Sequence, residues 1–229
     1  MKQIRNYQLL VFDWDGTLMD SIGRIVHCLQ GAIHALGLEE RPRQALKDVI
    51  GLGLRDAILQ LYPEADEALC EAFTHAYRER YLGDDPTPSP LFPGVPQVLA
   101  DLEAAGYWLG VATGMSRKGL DRKLTSTGLG SRFLVTRCAE EAFSKPHPAL
   151  LQAVMDYAGV PPEETLMIGD SVLDLQMAAN ACTDGVGVTT GVHDAGRLAP
   201  HAPRILLDDL RQLPHWLATG GVRALSDAS

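Results

Sequence analysis

Beyond about residue 94 the chain alternates short apolar runs with amphipathic helical patterns, and this alternation limits its fold more than any other feature. The spacing predicts helices at 95–105, 117–127, 148–158 and 172–180. Strands are predicted at 107–112, near 133–136, at 165–168 and at 184–188, with a last strand near 204–207 and a helix at 208–218. Short strands separated by helices form a parallel sheet covered by helices on both faces. Leu9 to Phe12 reads as one more fully buried strand; a lone strand cannot bury itself, so it joins the same sheet.

The intervening residues, from 20 to about 84, look purely helical. Asp20 and Ser21 can cap a helix whose apolar positions Ile22, Ile25, Val26, Leu29, Ile33 and Leu36 follow the helical period, and Gly37 is a natural stop. Further helical patterns lie at about 54–61 and 65–82. The segment Asp84-Asp85-Pro86-Thr87-Pro88-Ser89-Pro90 packs three prolines into five positions, which suits a semi-rigid connection. The expected architecture is a doubly wound α/β core of residues 1–19 and 86–229, with an all-helical unit inserted at 20–85. The tail from Thr219, rich in Gly, Ala and Ser, is expected to fray.

At 229 residues the chain can bury a sizeable core. Its formal charge of -9, with no run of lysines or arginines, argues against a nucleic-acid groove or an anionic membrane surface as partner. Cys28, Cys70, Cys138 and Cys182 lie far apart with no Cys-x-x-Cys spacing, so neither a zinc site nor a disulfide framework is indicated. Residues Met1 to Asn6 lack the apolar stretch of a signal peptide, and no run approaches the length that spans a bilayer. A cytoplasmic protein is expected; nothing in the sequence specifies an oligomeric state.

The chemistry gathers at the strand ends, where doubly wound sheets bind ligands. Val11-Phe12-Asp13-Trp14-Asp15-Gly16-Thr17-Leu18 sets two carboxylates at the tip of the first strand. Taken alone it reads equally well as a turn, since Asp and Gly both favour turns. Thr113-Gly114 and Gly169-Asp170 follow two further strands, and Asp174 stands four residues past Asp170, as an i, i+4 pair on the first turn of a helix. Gly-Asp-Ser after a strand also reads as a plain helix start. Several carboxylates in one crevice repel unless a hard divalent cation neutralises them, and Mg²⁺ takes one or two carboxylates plus waters and phosphate oxygens. Lysines are usually solvated, but Lys145, between restrictive prolines in Ser144-Lys145-Pro146-His147-Pro148, could balance Asp13 and hold a phosphoryl oxygen. Thr113 offers a hydroxyl and Gly114 backbone donors for the same group.

In this order, Asp13-Trp14-Asp15-Gly16-Thr17, Thr113, Lys145 and Gly169-Asp170-Ser171-Val172-Leu173-Asp174 resemble the four motifs of the haloacid dehalogenase superfamily. The helical insert after the first motif resembles that superfamily's helical cap. The resemblance implies that Asp13 is a nucleophile forming an aspartyl-phosphate and that Asp15 alternates as general acid and base. It implies Mg²⁺ held by Asp13, the Asp15 backbone carbonyl and Asp170, with Asp174 in support, and a phosphoryl group bound by Thr113, Gly114 and Lys145.

Asp15 favours phosphate esters over dehalogenation, because superfamily dehalogenases do not carry this Asp. The pattern is most similar to the phosphoglycolate phosphatase group, which implies a small phosphorylated metabolite as substrate; sugar phosphomutases share the outline. Close phosphoglycolate phosphatases tend to have Asn-Lys after the Thr or Ser, whereas Thr113 here is followed by Gly114-Met115. Within Ile50-Gly51-Leu52-Gly53-Leu54-Arg55, Gly51 gives a flexible turn and Arg55 a cation, so this segment reads equally as a candidate reader of the substrate's non-phosphate end or as a helix-to-helix turn with Arg55 on the surface. A non-catalytic phospho-acceptor module fits poorly: its paired acids are adjacent, its acceptor follows a later strand, and it has no such insert.

Overall fold

In a computed structural model, residues 7–83 and 87–220 are described. The expected boundary at residues 85/86, the N-terminal six residues and most of the tail expected to fray lie outside them. The elements run β1 (Leu9–Phe12), α1 (Ile22–Ala35), α2 (Arg43–Asp48), α3 (Leu54–Leu61), α4 (Glu67–Leu82), α5 (Val95–Ala104), β2 (Trp108–Thr113), α6 (Arg117–Thr127) and β3 (Val135–Cys138). They continue with α7 (Ala149–Ala158), β4 (Thr165–Gly169), α8 (Val172–Asn180), β5 (Asp184–Val188), α9 (Ala195–Leu198), β6 (Leu206–Leu207) and α10 (Leu213–Ala218).

The strands form one six-stranded parallel sheet in the order β3-β2-β1-β4-β5-β6. The order reverses at β1, which pairs with β2 through Phe12 opposite Val111 and with β4 through Phe12 opposite Ile168. Such a switch point opens a crevice at the carboxyl ends of the strands. Period-two alternation explains why β1 is apolar throughout: Leu10 and Phe12 enter the core on one face of the sheet, Leu9 and Val11 that on the other. The four residues have no solvent exposure.

Helices α1 to α4 bury a separate apolar cluster built around Val26, Ile33, Ile58 and Phe73. One residue from beyond β5, Val192, enters that cluster. No helix among the described residues is long and apolar enough to cross a membrane.

Local chemistry accounts for the departures from expectation. Ser21 precedes α1 with helical rather than extended backbone and accepts no cap bond; its hydroxyl donates to Asp15 Oδ1 at 2.5 Å. Helix α8 starts at Val172, so Asp170 is not on its first turn, and the i, i+4 argument for its meeting with Asp174 is wrong in detail. The short helices α2 and α9 had no expectation, and the helix expected at 208–218 is a 3₁₀ turn at Leu210–Gln212 followed by α10.

Candidate active site

At the switch point the ends of β1, β2 and β4 bring Asp13, Thr113 and Asp170 to one crevice, and the start of α8 adds Asp174. Carboxylate oxygens of Asp13, Asp170 and Asp174 lie within 4.8 Å of one another, and all three residues are buried. Lys145, only 1% exposed, projects among them from the loop before α7. Its Nζ stands 2.8 Å from Asp13 Oδ1 and donates to Asp174 Oδ1 at 2.7 Å. Thus the lysine is not the solvated residue that its type would suggest.

Each acid is held by its own neighbours. Asp170 Oδ1 accepts from the Thr17 hydroxyl at 2.8 Å and Oδ2 from Val192 N at 2.7 Å. Gly16 permits this approach: its φ of 83° turns the chain, and a Cβ there would lie 2.2 Å from Asp170 Oδ2. Asp174 Oδ2 accepts from Ser171 N and the Ser171 hydroxyl while Asp174 N binds back to that hydroxyl, a capping box on α8. The helix-start reading and the clustering therefore hold together. Asp15 lies beside the cluster but turns away from it, bound to Ser21.

Asp13 Oδ1 is the exception: it is buried, and although the Lys145 ammonium is close, no donor is aligned with it as a hydrogen bond. A buried oxygen in this condition, among three carboxylates facing one ammonium, fits a cation. Burial pushes the Asp13 carboxyl well above its ordinary pKa; Lys145 opposes this, and the negative charges of Asp174 and Asp170 reinforce it. Burial and then Asp174 push Asp170 up to about 7. Burial also raises Asp15, against the Ser21 hydrogen bond. For Lys145 burial works against the charge, but Asp13 and Asp174 outweigh it and hold the ammonium protonated.

The remaining candidates fall on two sides of a cavity of about 420 Å³ between the sheet's carboxyl ends and α1 to α4. Thr113 is buried at the tip of β2, and its hydroxyl oxygen accepts from Met115 N at 3.3 Å. Gly114 meets the helical segment directly: a Cβ there would lie 2.4 Å from Gly51 O and 2.5 Å from Leu52 O. Gly51, with φ of 102°, thus packs on the loop that carries Thr113. Arg55 lines the rim, but its guanidinium pairs with Glu67 at 2.5 Å and is half exposed.

Sequence reasoning did not assign Thr17, Ser21, Ser144 or the backbone of Val192 to the site. Ser144 accepts a hydrogen bond from Gly53 N at 2.8 Å, joining the helical segment to the residue before Lys145. Thr17 and Ser21 stand inside or next to the acidic motif, and that proximity was the available signal; a backbone N–H such as that of Val192 leaves none.

Residues 10–188 match the family model described as haloacid dehalogenase-like hydrolase. The chain is 34% identical over 211 residues to "Probable phosphatase IndB" of Dickeya dadantii, covering 90% of this chain and 91% of the relative. It is 31% identical over 214 residues to a phosphoglycolate phosphatase of Agrobacterium fabrum, covering 90% of each. A hydrolase from Pseudomonas syringae superposes with a TM-score of 0.85 over 93% of this chain and 98% of that one; at 23% identity this is a likeness of fold.

Proposed function

The chain belongs to the haloacid dehalogenase-like hydrolases, and from the buried cluster around Asp13 we propose that it is a Mg²⁺-dependent phosphatase that hydrolyses a small phosphate monoester through an aspartyl-phosphate. The observation that carries this reading is the pairing of Lys145 with Asp13 inside a ring of carboxylates, with a second acid, Asp15, held apart from it.

In this reading Asp13 attacks phosphorus while the ester oxygen departs, and Asp15 gives that oxygen its proton. Burial favours the protonated form of Asp15, which suits a general acid. Asp15 then takes a proton from water, the water attacks the phosphorus on Asp13, and phosphate leaves with both acids restored. Lys145, kept charged by two carboxylates, holds phosphoryl oxygens together with the Thr113 hydroxyl and the Gly114 amide.

Mg²⁺ would be held by Asp13, the Asp15 carbonyl and Asp170. Bound there, it supplies neutralisation of phosphoryl charge and favours the ionised form of Asp13. Asp174, with both oxygens accepting from Lys145 and Ser171, serves chiefly to fix the lysine and would support the metal with its charge.

Residues 20–85 are read as a cap domain, supported by their separate apolar cluster and by the contact of Gly51 with Gly114. The test is release of phosphate from 4-nitrophenyl phosphate. Release with Mg²⁺ that stops on chelation is expected; equal release after chelation would refute the metal dependence, and an isomerised sugar phosphate without free phosphate would point to a mutase.

A further inference from the structure

The cavity above Asp13 and Asp15 is poorly suited to a small carboxylate such as glycolate. Its wall from the helical segment is formed by Ile25, Leu29, Tyr77 and Tyr81, and its opposite wall by Met115 and Phe143. Tyr77 and Tyr81 lie nearly parallel, with ring centroids 5.5 Å apart and planes at 14°; Tyr81 is engaged by Tyr77, Arg24 and Lys123, so the pair forms a fixed aromatic block in the wall. At about 420 Å³ the cavity falls in the range of roughly 300–1,000 Å³ typical of pockets that enclose drug-sized ligands, well beyond the needs of a two-carbon acid.

Charge points the same way. Among the described residues lining the cavity beyond the phosphoryl cluster, the cations are Arg55 and Arg78. Each stands at the rim and is already paired, Arg55 with Glu67 and Arg78 with Glu140. Beside Tyr81, Arg24 is bound to the backbone carbonyls of Thr87 and Tyr81 and Lys123 to the Ser89 hydroxyl, so a carboxylate inside would meet largely apolar walls and cations already engaged, and an unpaired buried charge is costly. Away from Asp13, the chamber holds an uncommitted polar group: the Tyr81 hydroxyl is buried with no hydrogen-bond partner. Burial and the nearby Asp15 raise its pKa well above the ordinary value, so it stays a neutral donor.

Resting on the phosphatase reading above, we propose that the natural substrate is the phosphate monoester of an alcohol bearing an apolar, ring-sized group, which packs against the wall that Tyr77 and Tyr81 form and offers one acceptor to the Tyr81 hydroxyl. Specificity then comes from the shape and apolar surface of the chamber, and Arg55 serves as a rim residue.

The test compares kcat/KM for 2-phenylethyl phosphate, ethyl phosphate and 2-phosphoglycolate, all alkyl esters, in the full chain with Mg²⁺. The ring-bearing ester is expected to exceed each of the others by roughly tenfold or more, the discrimination that one well-filled apolar pocket supplies. Leu54, half-buried in the cavity wall, is expected on Leu54→Lys to lose that preference and shift it toward 2-phosphoglycolate. A preference of the unaltered protein for 2-phosphoglycolate, or equal rates for all three, overturns the proposal while leaving a phosphatase. No hydrolysis of these esters or of 4-nitrophenyl phosphate overturns both readings.

Discussion

Lys145 and Asp13 meet 2.8 Å apart with almost no solvent around either, although 132 positions of sequence separate them (145 less 13). The pair exists because the first strand and the loop before α7 end at the same crevice. Burying an ammonium is costly unless carboxylates surround it, and here Asp174 supplies the second.

Removing that ammonium exposes both of its effects. Lys145→Met is expected to lower kcat by about 10²–10³-fold, the cost of losing one preorganised group that stabilises charge. In the metal-free protein it leaves Asp13 and Asp174 buried and unpaired, so urea titration should show a loss of about 3–5 kcal/mol. Full activity in this variant would remove Lys145 from the chemistry.

The crowded carboxylates also fix a pH dependence of stability. Asp170 is raised from 3.8 to about 7, chiefly by burial and Asp174, so it holds its proton more tightly folded than unfolded. As pH rises the unfolded chain releases this proton first; the stabilisation is complete below 3.8 and lost as pH passes about 7. The metal-free protein should therefore lose up to about 4 kcal/mol from this group between acid and mildly alkaline pH. Asp170→Asn should reduce the slope, leaving the part that Asp13 and Asp15 give through their own raised values, and Mg²⁺ should flatten it in the unaltered protein; both are read from Tm against pH.

Gly114 sets how closely the helical segment approaches the tip of β2. Gly114→Ala places a methyl group 2.4 Å from Gly51 O and 2.5 Å from Leu52 O, too close for either, so the backbone there must shift. A fall in kcat/KM of about tenfold or more is expected, on the scale of a misplaced binding element. Faster hydrogen exchange at residues 49–54 should accompany it; unchanged exchange would mean that the contact is not what holds the segment closed.

Much of this was legible in the sequence because it rests on local pattern. Uninterrupted apolar residues marked β1; Asp13, Asp15 and Asp170 follow apolar strands, and the resemblance of the ordered motifs, with Lys145 and Asp174, joined them into one expected site. What escaped depends on tertiary contact. Ser21 looked like a helix cap, but its backbone is helical rather than extended and its side chain is drawn to Asp15, so its oxygen does not accept from the first turn. Thr17, Ser144 and Val192 N gain their partners only when distant segments meet. Tyr77 and Tyr81, four apart on α4, read as ordinary helix residues; only the packing of α4 over the crevice makes them a wall.

The independence of the helical unit can be checked at Phe73, which is fully buried in its cluster. Phe73→Ala should cost about 3–5 kcal/mol by loss of packing. If residues 20–85 form their own domain, hydrogen exchange should lose protection in α1 to α4 while β1, β2 and β4 keep theirs. Equal loss in the sheet would show one cooperative unit.

The central claim is that Asp13 carries the phosphoryl group. The most direct measurement quenches the enzyme in acid during turnover, reduces it with borohydride and sequences the product by mass spectrometry. Homoserine at position 13, absent without substrate and absent in Asp13→Asn, is the expected result. Continued turnover with no homoserine at position 13, or with the reduced residue elsewhere, would contradict the account.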